Sequence, residues 1–144
     1  MEIIKVKNKQ QKDDAFHVRR VVFVEEQQVP MELELDEFDE SAIHFVGYQN
    51  DEPIAASRLR FAQEFGKLER ICVKKEYRGQ SFGKQIIHSM EEVIRDYAYN
   101  QAKLNAQTHA EVFYKSLGYV TISEPFMDAG IPHVTMVKQL SSSL

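Results

Sequence analysis

Val73-Lys74-Lys75-Glu76-Tyr77-Arg78-Gly79-Gln80-Ser81-Phe82-Gly83-Lys84 joins a strand-like stretch to the clearest helical pattern in the chain. Small residues at 79, 81 and 83 let backbone N–H groups approach a ligand closely. The start of the following helix adds unsatisfied donors and the positive end of its dipole, which together suit an anion. Arg78 and Lys84 add side-chain charge. A diphosphate fits these features, and so does a plain strand-to-helix turn built on Gly79; glycine spacing alone does not separate the two. The stretch has no Gly-Lys-Ser/Thr, and it follows a fourth strand, which is wrong for a dinucleotide-binding βαβ opening.

Downstream, Phe82, Ile86, Met90, Val93, Ile94 and Tyr97 recur at helical spacing, with Lys84, Gln85, His88, Glu91, Glu92 and Arg95 outside. Lys103-Leu104-Asn105-Ala106 reads as a short strand. A helix from about Thr108 to Leu117 stops at Gly118, and Tyr119 to Ile122 and His133 to Lys138 read as closing strands. Upstream, Gly66 opens a strand over Leu68 to Val73, and a hairpin pairs Ile43 to Tyr48 with Ile54 to Phe61. Its turn, Gln49-Asn50-Asp51-Glu52, tolerates positive φ. Ile3-Ile4-Lys5-Val6 opens the chain, and Asp13-Asp14 mark a helix start running to about Glu26. Within it Val21-Val22-Phe23-Val24 suits a strand equally by local pattern, and segment length favours the helix. Residues 27–40 read as an irregular acidic stretch. The order β-α-β-β-β-α-β-α-β-β predicts an α/β fold, a mixed sheet flanked by helices.

The length of 144 residues fits one domain over 1–140, with 141–144 as a loose tail, and 43% hydrophobic residues can fill a core. A net charge of −4 without a long basic run argues against nucleic acid as the main partner. The single cysteine, Cys72, leaves no internal disulfide, as expected in a reducing cytoplasm. No apolar run suits a membrane span, and the scattered histidines give no metal-ligand spacing.

Arg78-Gly79-Gln80-Ser81-Phe82-Gly83 resembles the acyl-CoA pyrophosphate motif of GNAT acyltransferases, Gln/Arg-x-x-Gly-x-Gly/Ala, departing from it at Ser81. Leu104-Asn105-Ala106 followed by Ala110-Glu111-Val112-Phe113-Tyr114 and Gly118-Tyr119 is similar to the second motif of that superfamily. Gly130-Ile131-Pro132-His133 resembles its bacterial YjcF/ElaA-like branch. The resemblance implies acetyl-CoA as acyl donor and an amine as acceptor, and a homodimer is common among such relatives. It further implies that backbone groups of Ile71, Cys72 and Val73 pair with the pantetheine arm. The amides of Arg78, Gly79, Gln80, Ser81, Phe82, Gly83 and Lys84 would hold the diphosphate, with Asn105 also on the cofactor side.

In that pattern Tyr114 protonates the departing thiolate, since a phenol is protonated at neutral pH; the alternative is an aromatic packing its helix on the sheet. Backbone N–H groups near Val73 would polarise the thioester carbonyl. Glu69 is expected either as the general base or as a fixed partner of Arg58 or Arg70, with His44 and His133 as further base candidates. Cys72 is expected to be a small buried residue and no nucleophile. The acidic stretch either draws a cationic amine or is a solvated loop.

A second likeness, carried by Arg20-Val21-Val22-Phe23, Glu34 to Asp39, Ser57 to Arg60 and Leu68-Glu69-Arg70, is to acyl-homoserine-lactone synthases, although this chain has no tryptophan. It implies a charged cluster of Arg20, Asp36, Asp39, Arg58, Glu69 and Arg70, either functional or a structural ion-pair network. The expected function is N-acetyl transfer to a primary amine. The alternatives are a non-catalytic acyl-CoA-binding module and a lactone-synthase-like acyltransferase.

Overall fold

The computed structural model describes residues 1–140; the expected tail, 141–144, lies outside them. Helix α1 (Lys9–Arg19) starts ahead of Asp13 because Asn8 caps it: the Asn8 side chain accepts from Gln11 N–H at 2.8 Å. Asp13 and Asp14 instead sit inside the helix, Asp13 paired with Lys9 at 2.9 Å. The β-branched run then continues as a π-helix, Arg20–Glu26. Its wider turn eases the crowding that β-branched residues cause in an α-helix. Residues 27–40 are not irregular throughout. They hold a short helix α2 (Met31–Glu34) and a 3-10 turn, Glu37–Glu40, capped by Asp36.

Among the described residues, eight strands form one sheet: β1 (Glu2–Lys5), β2 (Ile43–Gln49), β3 (Glu52–Ala62), β4 (Phe65–Val73), β5 (Gln101–Gln107), β6 (Val120–Thr121), β7 (Phe126–Asp128) and β8 (Ile131–Gln139). Their spatial order is β1-β2-β3-β4-β5-β8-β6, with β7 also on β8. β4 and β5 run parallel, and every other pair is antiparallel. The expected β2–β3 turn is present, with Asn50 and Asp51 at φ 51° and 68°. β7 is an element the sequence pattern did not mark. It hairpins onto β8 through Ala129 and Gly130, both at positive φ.

Helix α3 (Phe82–Asp96) lays Phe82, Ile86, Ile87, Met90 and Ile94 on one face of the sheet, against Leu68, Leu104 and Met136. Each such buried side chain contributes roughly 1.5–3 kcal/mol. Tyr114 and Leu117, in and just after α4 (Glu111–Ser116), pack against the same cluster. Glu91 was expected on the outer face of α3 but is buried, because it accepts from Tyr119 Oη at 2.8 Å and from Lys138 Nζ at 3.2 Å. The opposite face carries α1, where Ala15 and Val18, followed by Val22, pack on Val46, Ala56 and Cys72.

A bulge in β4 shapes the centre of the sheet. Ala56 pairs with Cys72 and Arg58 with Glu69, so Ser57 faces two residues, Arg70 and Ile71, and Arg70 takes φ 57°. The extra residue resets the alternation of side chains. Before it Gly66 and Leu68 face α3, where a Cβ on Gly66 would meet Ile94 at 2.5 Å. After it Ile71 and Val73 face α3 and Cys72 faces α1.

Candidate functional site

Pairing between β4 and β5 covers Gly66 to Leu68 against Ala102 to Leu104 and then ends, although β4 runs on to Val73 and β5 to Gln107. The strands part there, and a cavity of about 1030 Å³ opens between them. It is lined by the second half of β4, the turn before α3, Asn105 to Gln107 and Tyr114. The β5-side backbone of Ile71, Cys72 and Val73 has no strand partner, and apart from Val73 C=O, which accepts from Arg78, this edge is open to the pantetheine-like role expected of these residues.

The turn before α3 has the form its sequence suggested. Gly79 (φ 81°) and Ser81 (φ 65°) both take left-handed backbone, and α3 begins at Phe82, whose ring anchors it in the core. The first intrahelical bond is donated by Gln85 N–H to Ser81 C=O at 3.1 Å, and Ser81 supplies no side-chain cap. Among the described residues no acceptor serves the N–H groups of Phe82, Gly83 and Lys84, and all three residues line the cavity. A Cβ at Gly83 would meet only Phe113 Cζ, at 3.8 Å, and one at Gly79 nothing within 4 Å. Packing within the chain therefore does not require glycine at 83. Lys84 is exposed beside these donors.

Arg78 departs from expectation. Its amide donates to Lys75 C=O at 3.3 Å, and its guanidinium is spent on Glu26, with two bonds of 2.6 Å, and on Val73 C=O at 3.0 Å. The donors left open at this turn are thus main-chain N–H groups and Lys84, and Arg78 ties the turn to the end of the π-helix.

Tyr114 is half-buried and lines the cavity, in T-shaped contact with Phe113 and Tyr119 at 5.2 and 5.9 Å. Burial holds its phenol well above the ordinary range, so it is a donor. Cys72 is buried and its thiol is pushed up to about 12 by that burial, which leaves no thiolate for nucleophilic work. Asn105 uses Oδ1 to accept from Thr135 at 2.8 Å.

Glu69 sits under a fork of cations. Arg58 Nε and Nη2 donate to it at 3.0 and 2.7 Å, and Arg60 Nε and Nη2 at 2.7 and 3.1 Å. Burial opposes its charge, yet the bonds from Arg60 and Arg58 prevail and bring its pKa down to about 2. Of its two expected roles, this geometry supports the fixed partner, with Arg58 and Arg60 as the arginines. Arg70 turns instead to Asp36 at 3.1 Å and to the Leu33 and Glu34 carbonyls. Behind them Arg58 reaches Asp36 and Asp39.

Arg20 is outside this cluster, exposed and 3.8 Å from Glu25. Its neighbour Arg19 takes the place, fully buried and bonded to Glu34 at 2.7 Å and Asp39 at 2.8 Å. Sequence held a signal for it: Ala15, Val18, Arg19 and Val22 share one helical face. His44 lies beneath this network, donating Nε2–H to Asp39 C=O at 2.8 Å and away from the cavity lining. His133 does line the cavity. Its Nδ1–H goes to Ile131 C=O at 2.7 Å, so in the neutral ring Nε2 carries the lone pair. Among the described residues, no group of three or more His, Cys, Asp or Glu could hold a metal, and no helix is long and apolar enough to cross a membrane.

Comparison with known proteins agrees with this geometry. Residues 7–140 match the family described as Acetyltransferase (GNAT) domain. The Bacillus subtilis protein described as uncharacterized N-acetyltransferase YjcF is 45% identical, over 96% of this chain and 99% of its own. The crystal structure of Escherichia coli ElaA superposes with a TM-score of 0.83 at 26% identity, covering 96% of this chain and all of that one. An aminoglycoside 6'-N-acetyltransferase solved with coenzyme A shares the fold, with a TM-score of 0.77 at 16% identity over 96% of this chain and 97% of that one. A parted β4–β5 pair, bare donors at the start of α3 and a family match over nearly the whole length converge: the chain belongs to the GNAT family of acetyltransferases.

Proposed function

We propose that this chain transfers an acetyl or short acyl group from acyl-CoA to a primary amine of a small molecule or peptide, by direct attack on the thioester. The observation that carries this reading is the parting of β4 and β5 above the donor-rich start of α3, with Tyr114 in the same cavity. The N–H groups of Phe82, Gly83 and Lys84 take the CoA diphosphate, and the open edge of Ile71 to Val73 takes the pantetheine arm. The amine nitrogen bonds to the carbonyl carbon, main-chain N–H of β4 carries the developing oxyanion, and the C–S bond breaks. Tyr114 gives its proton to the leaving sulfur. Burial keeps the phenol protonated until negative charge develops on the sulfur. Nε2 of His133 accepts the proton that the ammonium must lose, because the Glu69 lone pairs are already engaged and its basicity is too low.

The test is release of CoA thiol from acetyl-CoA across a panel of amines. Tyr114→Phe should lower kcat by about 100-fold or more with acetyl-CoA affinity unchanged. Wild-type turnover in that variant would remove the acid role. Tight CoA binding with no release on any amine would favour the non-catalytic binding module.

A further inference from the structure

Beyond the α3 turn the cavity lining is charged: Arg58, Arg60, Lys67 and Arg70 stand with Glu34, Asp36 and Glu69, Asp128 is also on the lining, and Arg19 and Asp39 lie behind it. Five cations, Arg19, Arg58, Arg60, Lys67 and Arg70, are joined to four carboxylates, Glu34, Asp36, Asp39 and Glu69. The carboxylates are the saturated partners. Glu69 accepts from two arginines, Asp36 from Arg58, Arg70 and the Phe38 amide, and both oxygens of Glu34 are held by Arg19. The cations keep capacity in hand. Among the described residues no hydrogen bond is made by Nη1 of Arg60 or Nη1 of Arg70, and Lys67 only pairs loosely with Glu69 at 3.5 Å.

These three side chains also reach the cavity. Arg60, Lys67 and Arg70 retain 19%, 25% and 23% exposure, against 1% for Arg58. Arg60 is held flat over Phe38, 3.8 Å from the ring centroid, and Arg70 stands at the bulge with its φ of 57°. A bulky residue at positive φ costs backbone energy, and such outliers gather where a side chain must be aimed. Burial, and after it the nearby Arg58 and Arg19, lowers the pKa of Arg70.

We propose that the amine acceptor also carries an anionic group, a carboxylate or a phosphate, which docks on Arg70 with Arg60 and Lys67 around it. This inference rests on the acyltransferase reading and narrows its substrate class. The acidic stretch then acts through its arginines, and a polyamine, which would bring more positive charge to a cationic floor, is disfavoured.

Matched acceptors test it: an amino acid, its carboxamide, its decarboxylated amine and an aminoalkyl phosphate, each assayed for kcat/KM with saturating acetyl-CoA. At least one anionic acceptor should exceed its neutral and cationic counterparts by about 10-fold or more. Arg70→Gln should erase that preference through KM while leaving acetyl-CoA affinity intact, and Arg60→Gln provides a second variant should the first fold poorly. Carboxamides or diamines turned over as well as the anionic amines would overturn the proposal. Should no acceptor turn over, binding of an N-acetyl amino acid to the protein–CoA complex, compared with its N-acetyl amide, decides it: equal or absent binding of the two overturns it. Failure to bind acetyl-CoA in a parallel titration would instead reject the acyltransferase reading itself.

Discussion

Ser81 is where this chain departs from the small-residue pattern of its anion turn, and its φ of 65° shows what the departure costs. An L-residue in left-handed backbone gives up about 1–2 kcal/mol, part of which a glycine would return in unfolded-state entropy. Ser81→Gly should therefore raise the urea midpoint, by about 0.5–1 kcal/mol in stability. A lowered midpoint would mean that the hydroxyl supports the turn. Glu69 poses a different question. Its folded pKa of about 2 lies below the ordinary 4.5, so its contribution to stability is present above pH 4.5 and is lost as pH falls through 2. Far-UV circular dichroism should show unfolding in that acid window. Glu69→Gln leaves Arg58, 1% exposed, short of countercharge, and should cost about 3 kcal/mol. Its pH–rate profile should keep the wild-type shape. A new dependence at low pH would restore Glu69 as the base.

At the scale of elements, the bulge in β4 and the π-helix after α1 do what no periodicity announces. The bulge adds one residue at Arg70, so Glu69 and Arg70 stand with the cluster while Ile71 and Val73 return to the α3 core. Sequence reading placed β4 and α3 correctly because their apolar spacing is regular. It missed the insertion because register is a property of two strands. In the same way adjacent Arg19 and Arg20 look alike in sequence, and helical phase alone sends Arg19 inward. Residues 27–40 read as irregular because their order comes from Asp36 capping a short turn and from arginines elsewhere in the chain. Within α3, Gly83 separates a ligand's demand from the fold's. Gly83→Ala should raise stability without ligand by about 0.5–1 kcal/mol, as helix propensity dictates. The same change should weaken CoA binding. Unaltered affinity would mean that the diphosphate lies elsewhere.

Across the described residues, a mixed sheet lies between helices on both faces, and its parallel pair parts after Leu68 and Leu104. The fold and the turn before α3 were legible early, since both rest on local signals: a small-residue turn, an amphipathic helix and the Phe113-Tyr114 pair. The charged cluster was legible only in part. It is assembled from α1, the 34–39 stretch, β3 and β4, and its pairing depends on which side chains the fold brings together. From sequence the acidic stretch could read as a lure for a cation, whereas in the folded chain three of its carboxylates, Glu34, Asp36 and Asp39, are engaged by arginines, while Glu32, Glu37 and Glu40 are exposed.

In the proposed reaction, main-chain donors at the start of α3 grip the diphosphate of the acyl donor. Isothermal titration of the wild-type protein with CoA and with pantetheine, which lacks the diphosphate, tests it most directly. The expected result is CoA binding about 100-fold tighter than pantetheine, a margin of about 2.7 kcal/mol, which Gly83→Val abolishes. Equal affinity for the two ligands, or a margin that survives in Gly83→Val, would contradict it.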